Sequence, residues 1–127
     1  AVSYKEGSAW ALDILGNIAR ETGQRERAAT LLLRSFELHK ELGDRWRMSS
    51  VLDGIGALAS ARGDAERAVR LHGAADALRR AMGTPVPTVE RPAREASLES
   101  AEAALGAERL AEVLEEGSRT PPERLLS

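Results

Sequence analysis

Apolar residues recur at helical spacing through residues 1–83, and glycines at 23, 43, 63 and 83 cut the pattern into four segments. Leu12, Leu15 and Ala19 share one helix face, as do Leu31 and Leu38, with polar and charged residues between them. Ser3-x-x-Glu6 has capping-box spacing, which predicts a first helix from about Tyr4 to Thr22, with Gly23 as its left-handed stop. A second helix is predicted from Arg25 to Leu42, ending at Gly43. Asp44 caps a third that runs to Arg62 and stops at Gly63, and Asp64 caps a fourth from Ala65 to Met82, ending at Gly83. The stretch TPVPTV (84–89) reads as a linker, because two prolines forbid continuous helix. A fifth helix lies within Glu90–Leu105, with Pro92 either in its first turn or displacing its start. Gly106 breaks it, and a sixth helix spans Ala107–Glu116 before Gly117. Thr120-Pro121-Pro122-Glu123 is another capping box, announcing a helix that has barely begun at Ser127; an excised fragment ends that way, and so does a short C-terminal turn.

Residues 12–43 laid on 52–83 give 11 identities in 32 positions, among them Leu12/Leu52, Asp13/Asp53, Gly16/Gly56, Ala19/Ala59, Gly23/Gly63 and Ala28/Ala68. The matches span two helices and both stops, so the repeating unit is a helix-turn-helix pair, about 4–43 and 44–83. A glycine inside a helix costs about 1 kcal/mol relative to alanine. Its recurrence at 16 and 56 predicts a close crossing with the partner helix, Ala28 and Ala68 being the expected small partners there. Larger residues at 12, 15, 31 and 38, with their repeat mates, are expected to fill the sides.

The pattern resembles the tetratricopeptide repeat (TPR). The residues that carry the resemblance are Leu12, Leu15-Gly16, Ala19, Gly23, Ala28 and Ser35 in the first copy, and Leu52, Ile55-Gly56, Ala59, Gly63-Asp64, Ala68 and Ala75 in the second. The period here is 40 rather than the family's 34, and no proline closes either copy. ELGDRW (41–46) at the repeat junction and LHGAADALRRAMGTPVP (71–87) are similar to the C-terminal arrays of bacterial ATPase-containing transcriptional regulators of the LuxR type, like the maltose-regulon activator. The resemblance implies an all-α, TPR-like solenoid of two repeats with a closing helix pair over 90–127. It also implies a non-catalytic protein-interaction or sensory module within such a regulator. The alternatives are an inducer-binding module using the concave groove, and a self-association scaffold that forms a homodimer. Some TPR domains clamp a peptide carboxylate; Asn17 matches one clamp asparagine, but the lysine position falls on Asp13 and the second asparagine on Gly54, so carboxylate capture is not expected.

Composition narrows these alternatives. Of 127 residues only four are aromatic and none is cysteine, which disfavours a sheet and rules out a disulfide framework or thiolate metal site. Residues 1–83 carry 13 basic and 11 acidic side chains, and 84–127 carry 5 and 9, so neither part has the basic excess of a free-standing nucleic-acid binder. No apolar run reaches the roughly 20 residues of a membrane span. The expectation is a cytoplasmic chain without cofactor or metal, bound to a protein or peptide or to a small effector.

Chemistry-bearing residues are few. His72 falls where the repeat packs an aromatic and reads as a core histidine, while His39, beside Lys40, reads as a surface residue. Glu99/Glu102 and Glu115/Glu116 read as solvated helix faces, and neither a nucleophile elbow nor a phosphate-cradling loop is present. GDRWRMSS (43–50) offers Trp46 to a partner, or packs it at the repeat junction with both neighbouring arginines solvated; the packing reading is preferred. Helical spacing puts Asp13, Asn17 and Arg20, with Asp53, Ala57 and Ser60, on the inner face of the first helices of each pair, where a partner is expected to bind.

Overall fold

Three-residue turns between the first four helices leave each of them no choice but to fold back on the one before it. The computed structural model describes residues 3–127, which form α1 (Tyr4–Glu21), α2 (Arg25–Glu41), α3 (Arg45–Ala61), α4 (Ala65–Met82), α5 (Arg91–Leu105), α6 (Ala107–Ser118) and α7 (Pro122–Leu126). A 3-10 turn at Thr88–Glu90 leads into α5, and no strand occurs among the described residues. The protein is all-α. The turns after α1 to α4 each contain a glycine with φ between +68° and +83°, a region open to glycine at little cost. Backbone N–H groups at the helix starts are met as the spacing predicts: Glu6 N–H donates to Ser3 Oγ, Arg47 N–H to Asp44 Oδ1 and Arg67 N–H to Asp64 Oδ1. Pro92 sits in the first turn of α5.

The helices pack as two hairpins, α1 with α2 and α3 with α4, joined by contact of α2 with α3. Phe36 and Leu32 of α2 meet Val51, Leu52 and Ile55 of α3 and Leu71 of α4 in the main core. Helix α5 lies across α3 and α4, where Ala101 packs with Val69 and Val113. The mid-helix glycines mark crossings; at Gly56 the expected Ala68 takes part through its carbonyl, 3.2 Å from where a β-carbon would stand, but in both copies the closest partner is a larger side chain rather than the alanine. A β-carbon on Gly16 would come within 2.8 Å of Leu32, and one on Gly56 within 2.8 Å of the His72 ring. Leu32 and His72 are repeat mates, so the large side chain one turn past Ala28 or Ala68 occupies the space that glycine leaves. Leu15, expected to fill the side of that crossing, is instead exposed, with Tyr4, Trp10, Ile14 and Ile18 of the same helix.

The C-terminal part departs further from the sequence expectation. Helix α6 packs mainly on α4 rather than pairing with α5. Gly117 is not a stop: α6 continues to Ser118, and Gly117 is buried where a β-carbon would strike the Arg70 carbonyl of α4. Gly73 of α4 has the reciprocal problem against the Leu114 carbonyl, so the two backbones touch through a pair of glycines. Ion pairs from Arg109 to Glu66 (2.6 Å) and from Arg70 to Glu116 (3.2 Å) bracket the crossing. Thr120 caps nothing; its hydroxyl donates back to the Glu116 carbonyl at 2.7 Å, and Pro121 occupies the cap position of α7.

Two glycine-to-alanine substitutions separate crossing glycines from idle ones. Gly117→Ala should lower stability by about 2 kcal/mol or more, because a backbone must move. Gly7→Ala, whose β-carbon meets nothing within 4 Å, should raise it by about 0.5–1 kcal/mol. Thermal or denaturant melts of both variants check this pair of opposite signs.

Candidate functional site

The inner faces of α1, α3 and α5 enclose a groove of about 360 Å³. Asp13, Asn17 and Arg20 enter it from α1, Asp53 and Ala57 from α3, and Glu90 and Arg94 from the start of α5. Five of the six inner-face residues predicted from spacing therefore line one cavity. Ser60, the sixth, is half-buried one turn beyond Ala57 and does not line it. Along α1 the polar groups hold one another: Asn17 Nδ2 donates to the Asp13 carbonyl at 3.0 Å and to its carboxylate at 3.1 Å, and Arg20 Nε donates to Asn17 Oδ1 at 3.3 Å. Gly54 permits this, since its absent side chain would stand 3.2 Å from Asn17 Oδ1.

Asp53 is not the open inner-face group that its spacing suggests. It is 5% exposed and sits at the centre of a buried polar cluster. His72 Nδ1 lies 2.7 Å from Asp53 Oδ1, and Arg94 Nη1 donates to the same oxygen at 3.0 Å. Arg79 Nη1 faces Asp53 Oδ2 at 2.5 Å, charge against charge without hydrogen-bond alignment. Arg94 also reaches Asp76 at 2.8 Å, and Arg79 reaches Glu90 at 3.6 Å. Burial pushes the Asp53 carboxyl up, but the bond from His72 and the charges of His72, Arg94 and Arg79 outweigh it and hold the group below the ordinary 3.8. An ionised carboxylate only accepts, so His72 donates from Nδ1; in the neutral ring Nε2 then accepts from the Ser97 hydroxyl, 2.8 Å away.

Ser97, His72 and Asp53 thus stand in the order of a hydrolase triad. Their surroundings do not match that chemistry. Ser97 is 4% exposed inside helix α5 and does not line the groove, and the aspartate is shared with two arginines. What the cluster does is join α3, α4 and α5 at the floor of the groove. His72 is the core histidine its repeat position predicts, fully buried. Arg79, Arg94, Glu90 and Ser97 gave no local sequence signal, because their partners lie beyond the few residues over which helical spacing acts, on other elements of the fold.

His39 overturns its surface reading. It is 1% exposed, and neither ring nitrogen has a hydrogen-bond partner among the described residues. Burial pushes its pKa down, against the pull of Asp13 and Asp44. The same desolvation pushes Asp13 up, against His39, Arg47 and the Asn17 bond, and burial likewise raises Glu90. Trp46, expected to pack at the repeat junction, is instead exposed, and Arg47 is not free in solvent: its guanidinium lies 4.5 Å from the ring centre of Trp10 and 5.0 Å from that of Trp46. Trp10 was not anticipated in this role. Among the described residues no group of three metal-ligating side chains occurs.

Asp13 and Asp53 share a repeat position but should respond oppositely to neutralisation. Asp53→Asn takes from Arg79 and Arg94 the buried anion they share, leaving Arg79 only the more distant Glu90 and Arg94 only Asp76, and should cost about 3 kcal/mol or more. Because the folded pKa of Asp53 is depressed, its contribution is present above 3.8 and lost as pH falls through the folded value, so the deficit of Asp53→Asn should shrink in acid. The folded pKa of Asp13 is raised, so ionising it opposes folding as pH climbs past 3.8. Asp13→Asn should therefore melt above wild type at neutral pH and level with it in acid. Melting curves of both variants across pH check the two signs.

Comparison of the chain with protein-family models, with curated proteins and with solved structures returned no match.

Proposed function

We propose that this protein is a non-catalytic, TPR-like solenoid module that binds a protein or peptide segment along the groove between α1, α3 and α5, as part of a larger bacterial ATP-dependent transcriptional regulator in the cytoplasm. The observation that carries the binding surface is convergence. Side chains from both repeats and from α5 meet in one groove whose floor is a buried, charge-paired ion cluster and whose walls carry Asp13, Asn17, Arg20 and Glu90. A surface of mixed charge over a fixed floor suits an extended polar segment, and small Ala57 and Gly54 leave room for its side chains. The 40-residue repeat and its glycine stops support the solenoid, and the resemblance of ELGDRW and its surroundings supports the regulator context. Among the described residues no helix is long and apolar enough to cross a membrane.

Two alternatives keep specific support. The groove volume lies within the roughly 300–1,000 Å³ of small-molecule sites, which favours a small effector. The half-exposed row of Trp10, Ile14 and Ile18 on α1 favours self-association through that helix.

Panning a random peptide library on the chain, followed by chemical-shift mapping of the selected binders, tests the groove. Perturbations are expected at Asp13, Asn17, Arg20 and Ala57, and Ala57→Arg should weaken binding by about tenfold or more while leaving the melt unchanged. Binders that perturb only α2 and α4 would rule the groove out.

A further inference from the structure

The two repeats treat one structural position in opposite ways. In the second, Arg79 closes the junction between α4 and the start of α5 by pairing with Asp53 and Glu90. Its mate in the first repeat is His39, and the mate of Ser50, which donates to Glu90, is Trp10. Among the described residues no such closure exists around His39. Instead a cavity of about 560 Å³ opens between α1 and the α2–α3 turn, lined by Trp10, Ala11, Ile14 and Leu42, with His39 in its wall and Glu6 and Asp44 at its edge.

Three features of this cavity point to a ligand. Its walls are apolar and its size fits a molecule of one or two rings. A buried imidazole with neither nitrogen bonded among the described residues is a hydrogen-bonding group left without its partner, a costly arrangement to retain in a core that could hold leucine. Both charged side chains that line it are carboxylates. Asp44 spends one oxygen on the Arg47 N–H, and Glu6 makes no ion pair among the described residues. Arg47, whose charge acts on His39, is held against the rings of Trp10 and Trp46.

We propose that this cavity binds a small aromatic amine in its ammonium form, with the ring against Trp10, Ile14 and Leu42, a ring hydroxyl or equivalent polar group on His39, and the cation toward Glu6 and Asp44. The site is separate from the groove between α1, α3 and α5, so its failure leaves the peptide reading untouched and the converse also holds.

Tyramine is the probe, with two matched controls: 4-hydroxyphenylacetate keeps the ring and hydroxyl but reverses the charge, and phenethylamine keeps the charge but lacks the hydroxyl. Titration calorimetry and NMR of the Trp10 indole and His39 ring signals read the binding. Tyramine should bind and shift both signals, with the acid weaker by about tenfold or more and phenethylamine weaker by about tenfold. His39→Leu removes two unbonded buried nitrogens at similar volume and should melt at or above wild type, which separates lost binding from lost folding. In that variant the advantage of tyramine over phenethylamine should vanish, and in Glu6→Gln its advantage over the acid should fall severalfold. Equal affinity for tyramine and the acid, tyramine binding unaffected by His39→Leu, or no change in the Trp10 and His39 signals at millimolar tyramine would each overturn the assignment.

Discussion

A carboxylate taken out of water must be repaid by fixed positive charge or proton donors, and at Asp53 three separate side chains do this. His72 and Arg79 come from α4 and Arg94 from α5, so satisfying one buried anion settles how three helices sit together. The arrangement is rigid for the same reason that it is costly to break, since removing any cation leaves charge uncompensated in a low-dielectric interior. Glu90 and Ser50 extend the network to the groove wall, which gives a potential ligand a floor that does not rearrange.

The first repeat shows what happens when the acid is kept and its partners are exchanged. Arg79 becomes His39 and His72 becomes Leu32 at the corresponding positions, so among the described residues Asp13 retains only Asn17 as a hydrogen-bond donor from a side chain. Burial then dominates, raising the carboxyl pKa instead of lowering it. One repeat is a closed joint of paired charges and the other is an open one whose carboxylate has no arginine partner among the described residues. Both sites suggested for ligands, the groove and the cavity beside His39, border the open joint.

Helix crossings obey a second constraint, the space needed by a β-carbon. Gly16 and Gly56 yield to a side chain, whereas Gly73 and Gly117 yield to backbone, a closer approach that side-chain motion cannot relieve. This is why α6 docks on α4 rather than on its chain neighbour α5. Ordinary apolar packing of Val69, Ala101 and Val113 then fills the remaining space.

Local signals carried most of the secondary structure. Apolar period, capping side chains and glycines that accept a left-handed conformation act within a few residues, so the limits of α1 to α4 were legible along the chain, and the repeat told which side chains share a face. Five of the six inner-face residues reached the groove on that basis alone. Gly117 and Thr120 misled because the same residue types serve as helix punctuation or as packing and back-bonding groups, and only the neighbour decides which. The burial of Asp53 and His39 was likewise out of reach. Exposure at a position on a helix face depends on what lies opposite, and opposite them stand Arg94 of α5 in one case and the packed helices α1 and α3, with Asp13 and Arg47, in the other. The sequence by itself determined the helices, their turns and the face each presents, because those follow from short-range sterics and periodicity. Only the tertiary structure decided which carboxylate is neutralised, which histidine is left without a partner and where space remains, because charge pairing and close packing act between residues that are distant in the chain.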